Sequence, residues 1–274
     1  MRLDDLSKLP VPELHRLYVE EGRALPDGGL SALKADRRAG ARAVAEKIEK
    51  RNHQAQAEGR RLTRLSAFEA PLWAQGITLV AGVDEVGMAP LAGPVIAAAV
   101  ILRPGTRIRN VNDSKQLTPE EREALEPEIR ACCVSVGLGR AEVEEIDSIN
   151  IYHAGLLALK RAVLALDPQP QYLLVDARKL DGLPFPQQPI IKGDAKSITI
   201  GAASIVAKVH RDRLMAELDR QYPGYNLAAN KGYPTPDHLD ALKKLGACPL
   251  HRRSFTPVAK ALGLIPEQQE LFAR

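Results

Sequence analysis

From residue 77 onward the chain alternates between short apolar runs and longer amphipathic stretches. "ITLVAGV" (77–83), "VIAAAVIL" (95–102), "CCVSVGLG" (132–139) and "QYLLVDAR" (171–178) are brief, aliphatic and bounded by turn formers, which predicts strands. "QPIIKGDAKS" (188–197) predicts a shorter fifth strand. Between them lie helical patterns. "TPEEREALEPEIRACC" (118–133) offers Thr118 as N-cap, Pro119 at the first helical position and acids in the first turn. "SINIYHAGLLALKRAVLAL" (148–166) and residues 195–220 carry helical periodicity, and "NKGYPTPDHLDALKKLG" (230–246) reads as a Gly/Pro loop and a short helix. Strands first in succession and then alternating with helices predict an α/β domain with a mixed sheet.

The first 70 residues follow another pattern. Between Lys34 and Arg64 there are ten Lys/Arg and four Asp/Glu. Ala41 to Arg51 favours helix, and Val44 and Ile48 share one face of it. Few other apolar residues join them, so only a thin stripe is expected to be buried. Gly28-Gly29 and Gly59 are predicted breaks. Two readings fit: a solvated helical appendage, or a basic arm along a nucleic-acid backbone. The chain thus divides into a basic helical extension over 1–70, an α/β domain over 71–260 and a tail over 261–274.

Composition narrows the class. With 274 residues, 45% hydrophobic but only 4% aromatic, the core must be aliphatic. No apolar run approaches the roughly 20 residues of a membrane span, and "MRLDDLSKLP" lacks a signal peptide's apolar stretch, so a cytoplasmic protein is expected. Cys132, Cys133 and Cys248 form neither a disulfide framework nor a metal-ligand spacing. A net charge of +4 permits a nucleic-acid partner without requiring one.

Candidate chemistry enters through "GVDEVGMAPLAGPV" (82–95), where two acids follow an apolar run directly. Val83 leads into Asp84 and Glu85, Val175 into Asp176, and Ile191-Lys192-Gly193 into Asp194. Ligands of open α/β sheets sit beyond the carboxyl ends of the strands. If these strands are parallel neighbours, four carboxylates meet and raise one another's pKa, unless a hard divalent cation offsets the repulsion. Oxygen-only ligation suits magnesium or manganese, and two such ions serve phosphodiester cleavage. Each acid also has a plain alternative: Asp84 bonding within a glycine turn, Asp176 capping a turn before Arg178, Asp194 capping a helix.

These motifs, followed in order by "NDSKQLT", "INIYHAGLLAL", "YLLVDA", "IIKGDAKS", "GAASIVAKVHRD", "NKGYPT" and "HRRSF", resemble bacterial ribonuclease HII over about residues 78–260. The resemblance implies a ribonuclease H-like fold, a five-stranded mixed sheet flanked by helices. It implies hydrolysis of the RNA strand of RNA–DNA hybrids and 5′ incision at ribonucleotides in duplex DNA, leaving 5′-phosphate and 3′-hydroxyl ends. The family's metal ligands fall on Asp84, Glu85, Asp176 and Asp194, holding two Mg2+ or Mn2+ ions with Asp84 shared. Tyr233 matches the tyrosine that packs on the sugar beside the ribonucleotide. Lys115, Lys192, Lys196 and Lys231 are candidate phosphate contacts.

One departure matters. The family's usual Gly-Arg-Gly is here Gly87-Met88-Ala89. Met88 removes a charge-assisted donor, and Ala89 is free of strain only at negative φ. Weakened selectivity for an isolated ribonucleotide is therefore expected. In the tail, Gln268, Leu271 and Phe272 resemble the peptide by which bacterial replication proteins engage the sliding clamp; folding back onto the body is the alternative. Rival readings are a ribonuclease HIII-like nuclease, disfavoured by the basic arm and "KGDAKS", and a non-catalytic hybrid-binding protein, disfavoured by the intact acids. A general metal phosphatase is a weaker third.

Overall fold

The structure, a computed structural model, describes residues 3–111 and 114–266. Asn112 and Asp113 of "NDSKQLT", and Gln268, Leu271 and Phe272 of the tail, lie outside the described residues. The chain divides into two units, Met1–Thr63 and Arg64–Arg274.

The first unit contains α1 Leu3–Leu6, α2 Val11–His15, a π turn Arg16–Glu20, α3 Gly29–Lys34 and most of α4 Ala39–Leu65. It buries more than the thin stripe expected, and α4 runs through Gly59 without the predicted break. Ala41, Val44, Ala45 and Ile48 of α4 pack with Leu6, Leu14, Leu17, Tyr18 and Leu33. Leu6, Leu14 and Leu17 come from short helices that single-segment periodicity does not reveal.

In the second unit, α5 Glu69–Ala74 precedes a five-stranded sheet. Its strands are β1 Val80–Val86, β2 Val95–Leu102, β3 Cys133–Ala141, β4 Tyr172–Asp176 and β5 Gln187–Ile190, in the order β3-β2-β1-β4-β5. β1–β2 and β2–β3 pair antiparallel, whereas β1–β4 and β4–β5 pair parallel. The parallel neighbours require crossovers, which the helices provide. The remaining elements are α6 Pro119–Cys132, α7 Val143–Leu164, α8 Ile198–Gln221, α9 Leu227–Asn230, α10 Pro236–Leu245 and α11 Thr256–Ala261. Thr118 caps α6 in a reciprocal box with Glu121, as its sequence predicts.

Small residues let the helices sit close to the sheet. A Cβ on Gly137 or Gly139 of β3 would lie 2.1 or 2.0 Å from the carbonyl oxygens of Ala162 and Ala158 in α7. On Gly82 of β1 it would lie 2.1 Å from the backbone of Thr199 in α8. With so few aromatics, the core is made by this close approach together with Val, Ile and Leu.

Two boundaries differ from expectation. β5 stops at Ile190, and Asp194 lies on a 3₁₀ turn, Gly193–Ala195, rather than at a strand end. Lys192 at φ 57° ends the extended run, and the buried Gly193 then donates its N–H to Asp176 Oδ1 at 2.7 Å. α8 starts at Ile198 instead of 195, because Ser197 is its N-cap and accepts from Ile200 N–H.

Candidate active site

Side chains alternate across a strand, and this alternation sorts the acids. In β1, Ala81 and Val83 pack in the cluster with α7, whereas Val80 packs with Ile200 of α8. Asp84 therefore faces α8, and Glu85 faces the α7 side. In β4, Val175 belongs to the α7 cluster and Leu174 to the α8 cluster, so Asp176 shares the face of Asp84. β1 and β4 are parallel neighbours with Val83 opposite Val175, which puts the two aspartates at adjacent strand ends. Asp194 precedes α8, and Gly193 ties it to Asp176. The helix-cap alternative for Asp194 does not hold: the cap of α8 is Ser197.

Burial and mutual repulsion govern the charges. Asp84 is buried, and its pKa is raised well above the usual carboxylate range, first by burial, then by Glu85, with Asp176 and Asp194 adding to it. A hydrogen bond from Ser204 opposes this. Ser204 Oγ in turn lies 2.8 Å from Ser114 Oγ, so two hydroxyls that sequence reading passed over support the central acid. Burial also raises Glu85, although Arg178 pulls it down.

The donor set suits a hard divalent cation. It is all oxygen, and Glu85 Oε2 is buried without a hydrogen-bond partner. Among the described residues, however, no three His, Cys, Asp or Glu side chains stand in a ready ligand set. Protein groups hold several carboxylate oxygens instead. Arg178 Nη2 is 3.1 Å from Glu85 Oε1, and Lys115 Nζ is 3.5 Å from Asp194 Oδ2. Backbone N–H groups donate to Asp84, Asp176 and Asp194.

The loop after β1 is shaped by two buried arginines. Arg252 of "HRRSF" donates to the carbonyls of Gly87, Met88 and Gly93, and Arg211 of α8 to those of Ala92, Pro94 and Lys231. In a trans peptide the N–H points opposite the C=O. With the Gly87 and Met88 carbonyls held inward, the Met88 and Ala89 N–H groups point away from Arg252. Gly87 has φ 93° and a Cβ there would lie 2.4 Å from Arg211 Nε, so only glycine fits. Ala89 is not among the positive-φ residues, which removes the strain considered for it. Met88 sulfur and Arg178 Nη1 both approach Gly155, so an apolar side chain and a guanidinium share that corner.

The other candidates are dispersed. Tyr233 is 38% exposed, and its loop is tied to that of Gly87, since Leu91 N–H donates to the Gly232 carbonyl at 2.7 Å. Lys192 and Lys196 are exposed beside Asp194 in the chain. Lys231 is engaged elsewhere: its Nζ donates to the Asp212 carbonyl at 3.3 Å.

Known proteins resemble the chain over this region in both sequence and fold. The family model described as Ribonuclease HII matches residues 81–258. The chain is similar to the ribonuclease HII of Anaeromyxobacter sp. (strain Fw109-5), 58% identical over 273 residues, covering 100% of this chain and 87% of that one. Its structure is similar to the ribonuclease H2 of Pyrococcus horikoshii OT3, with TM-score 0.56 and 27% identity over 68% of this chain and 97% of that one. It is also similar to the ribonuclease HII solved in complex with PCNA from Archaeoglobus fulgidus, with TM-score 0.54 and 26% identity over 64% and 92% of the two chains. With a mixed five-stranded sheet of the ribonuclease H type and a family match that spans the acid cluster, the chain belongs to the ribonuclease HII family and is a ribonuclease.

Proposed function

We propose that the protein is a divalent-metal-dependent endonuclease that hydrolyses the RNA strand of RNA–DNA hybrids and incises 5′ of ribonucleotides in duplex DNA. The observation that carries this reading is the placement of Asp84 and Asp176 on one face at the ends of the parallel neighbours β1 and β4, with Glu85 beside Asp84 and Asp194 brought in by the Gly193 N–H bond to Asp176. Asp84, Asp176, Asp194 and Glu85 would hold one or two Mg2+ or Mn2+ ions, with Asp84 in the middle. When bound, such ions supply Lewis acidity for in-line attack of water on phosphorus and offset charge on the leaving 3′-oxygen.

The protein's own groups complete the site. Arg178 and Lys115 keep the acids ordered through contacts to Glu85 and Asp194. The Met88 and Ala89 N–H groups, aimed outward by Arg252, suit a ribose 2′-hydroxyl. Tyr233 offers an aromatic face to the adjoining sugar without choosing a base. Lys192 and Lys196 lie on the exposed turn at Asp194, where a phosphate backbone would pass.

Of the two reasons for weakened single-ribonucleotide selectivity, strain at Ala89 is gone and the missing cation at Met88 remains. The tail bearing Gln268, Leu271 and Phe272 is read as a sliding-clamp peptide, a reading supported by the PCNA complex of the archaeal protein. Among the described residues no helix is long and apolar enough to cross a membrane.

Cleavage mapping on two labelled substrates tests the proposal: an RNA–DNA hybrid, and a DNA duplex with one embedded ribonucleotide. Cuts in RNA and 5′ of the ribonucleotide, with 5′-phosphate ends and dependence on Mg2+ or Mn2+, are expected. Cleavage of DNA strands alone, or undiminished cleavage in chelator, would overturn it.

A further inference from the structure

Tyr233 is held from behind by two histidines. His238 of α10 and His251 of "HRRSF" are both fully buried, and their Nε2 atoms lie 3.1 Å apart. The groups on either side fix where the protons sit. The Cys248 N–H can only donate, and it lies 3.1 Å from His251 Nδ1. His251 Nδ1 is therefore bare, and its proton is on Nε2. That makes His238 Nε2 the acceptor and places the His238 proton on Nδ1, which lies 2.8 Å from the Tyr233 carbonyl. A carbonyl can only accept, so all three bonds are satisfied with both rings neutral and in one tautomeric arrangement. The Tyr233 carbonyl receives the Thr235 N–H as well, at 2.8 Å.

Among the described residues, the groups around the pair are turned to other partners. The Tyr225 ring packs edge-on, 4.9 Å from His251 and 6.4 Å from His238, and gives its hydroxyl proton to the Gly246 carbonyl. Cys248 Sγ lies 3.2 Å from His251 Nδ1. Glu144, Asp147 and Arg253 line the cavity of about 370 Å³ beside His251, where Asp147 accepts from the Arg253 and Ser254 N–H groups. Asp237, next to His238 in the chain, accepts from Asn226. The Arg252 guanidinium is turned to the carbonyls of the Gly87 loop.

We propose that His238 and His251 are positioning residues that set the Tyr233 loop against the sugar of bound nucleic acid, and that uptake of one proton by the pair releases it. The proposal rests on the reading of Tyr233 as a substrate contact. A second proton on either ring turns the Nε2 contact into two opposed N–H groups, or expels the Cys248 N–H. Burial and the neighbouring His238 push His251 down to about 4, so His251 stays neutral near neutral pH.

The test is steady-state cleavage of the duplex with one ribonucleotide by wild type, His238→Ala, Tyr233→Ala and the double variant. His238→Ala is expected to raise KM roughly three- to tenfold, the weight of about one hydrogen bond, with kcat near wild type. The double variant is expected to be no worse than Tyr233→Ala, because the histidine acts through the tyrosine. Additive effects, or a fall in kcat with KM unchanged, overturn the proposal and leave the tyrosine reading standing. An inert Tyr233→Ala in an enzyme that still cleaves overturns both, while the nuclease reading survives. A second readout needs no variant: nitrogen-15 NMR of the wild-type imidazoles at neutral pH. Two neutral rings, His251 protonated on Nε2 and His238 on Nδ1, support the proposal; a charged ring, or protons on the other nitrogens, overturns it.

Discussion

Asp84 and Glu85 adjoin in the chain yet face opposite sides of β1, and this explains much of how the site reads. Acids that end apolar runs were visible from sequence because charge following a buried strand is costly without a partner. Their partners were not visible. Arg178 directly follows the Asp176 strand, and Arg211 and Arg252 sit inside "KVHRD" and "HRRSF", with no local sign of what they bind. Both of the latter are fully buried and bind backbone carbonyls more than a hundred residues away, which no local pattern encodes. Desolvation lowers Arg252 to about 9 and Arg211 to about 10, so both remain cations at neutral pH. Arg252→Met leaves the buried Gly87 and Gly93 carbonyls and the part-buried Met88 carbonyl short of a donor, and a loss on the order of 3 kcal/mol is expected in denaturant unfolding. Arg252→Lys should recover part of it. At the surface of the same loop, Met88→Arg with Ala89→Gly is expected to raise incision at an isolated ribonucleotide relative to hybrid cleavage. An unchanged ratio in matched assays would mean that the missing guanidinium is of no consequence.

At the level of elements, strand positions and the α6 cap were legible because they rest on local signals: apolar runs, Thr118, Pro119. The end of β5 was not, because it depends on the left-handed turn at Lys192 and on Gly193 meeting Asp176. Nor was the anchoring of α8, where Glu69 Oε1 accepts from Ser197 Oγ, Thr199 N–H and Thr199 Oγ1 across more than a hundred residues. Close contact between β1 and α8 makes Gly82 sensitive. Gly82→Ala is expected to cost about 2–3 kcal/mol through overpacking, read as a lowered Tm. The loop joining α10 to α11 carries a pH dependence. His251 is depressed from 6.5 to about 4, so the unfolded chain binds its proton first as pH falls. Its contribution to stability is complete above pH 6.5 and is lost as pH drops toward 4. Unfolding followed across that window should show a shallower decline for His251→Gln than for wild type; parallel declines would contradict the assignment.

For the molecule as a whole, sequence patterning separated a basic helical segment from the α/β unit, while the division in the structure falls after Thr63. The first unit has its own apolar cluster, assembled from helices too short to show periodicity. If its lysines and arginines touch phosphate, removing residues 1–63 should weaken hybrid binding and flatten the dependence of affinity on salt. An unchanged slope would return it to a solvated appendage. The central claim concerns the acids. Its most direct test compares wild type with Asp176→Asn on one labelled RNA–DNA hybrid, measuring cleavage and binding in the same Mg2+ buffer. The expected result is that the variant binds the hybrid at least as well as wild type and does not cut it. Cleavage by the variant at the wild-type rate would contradict the account.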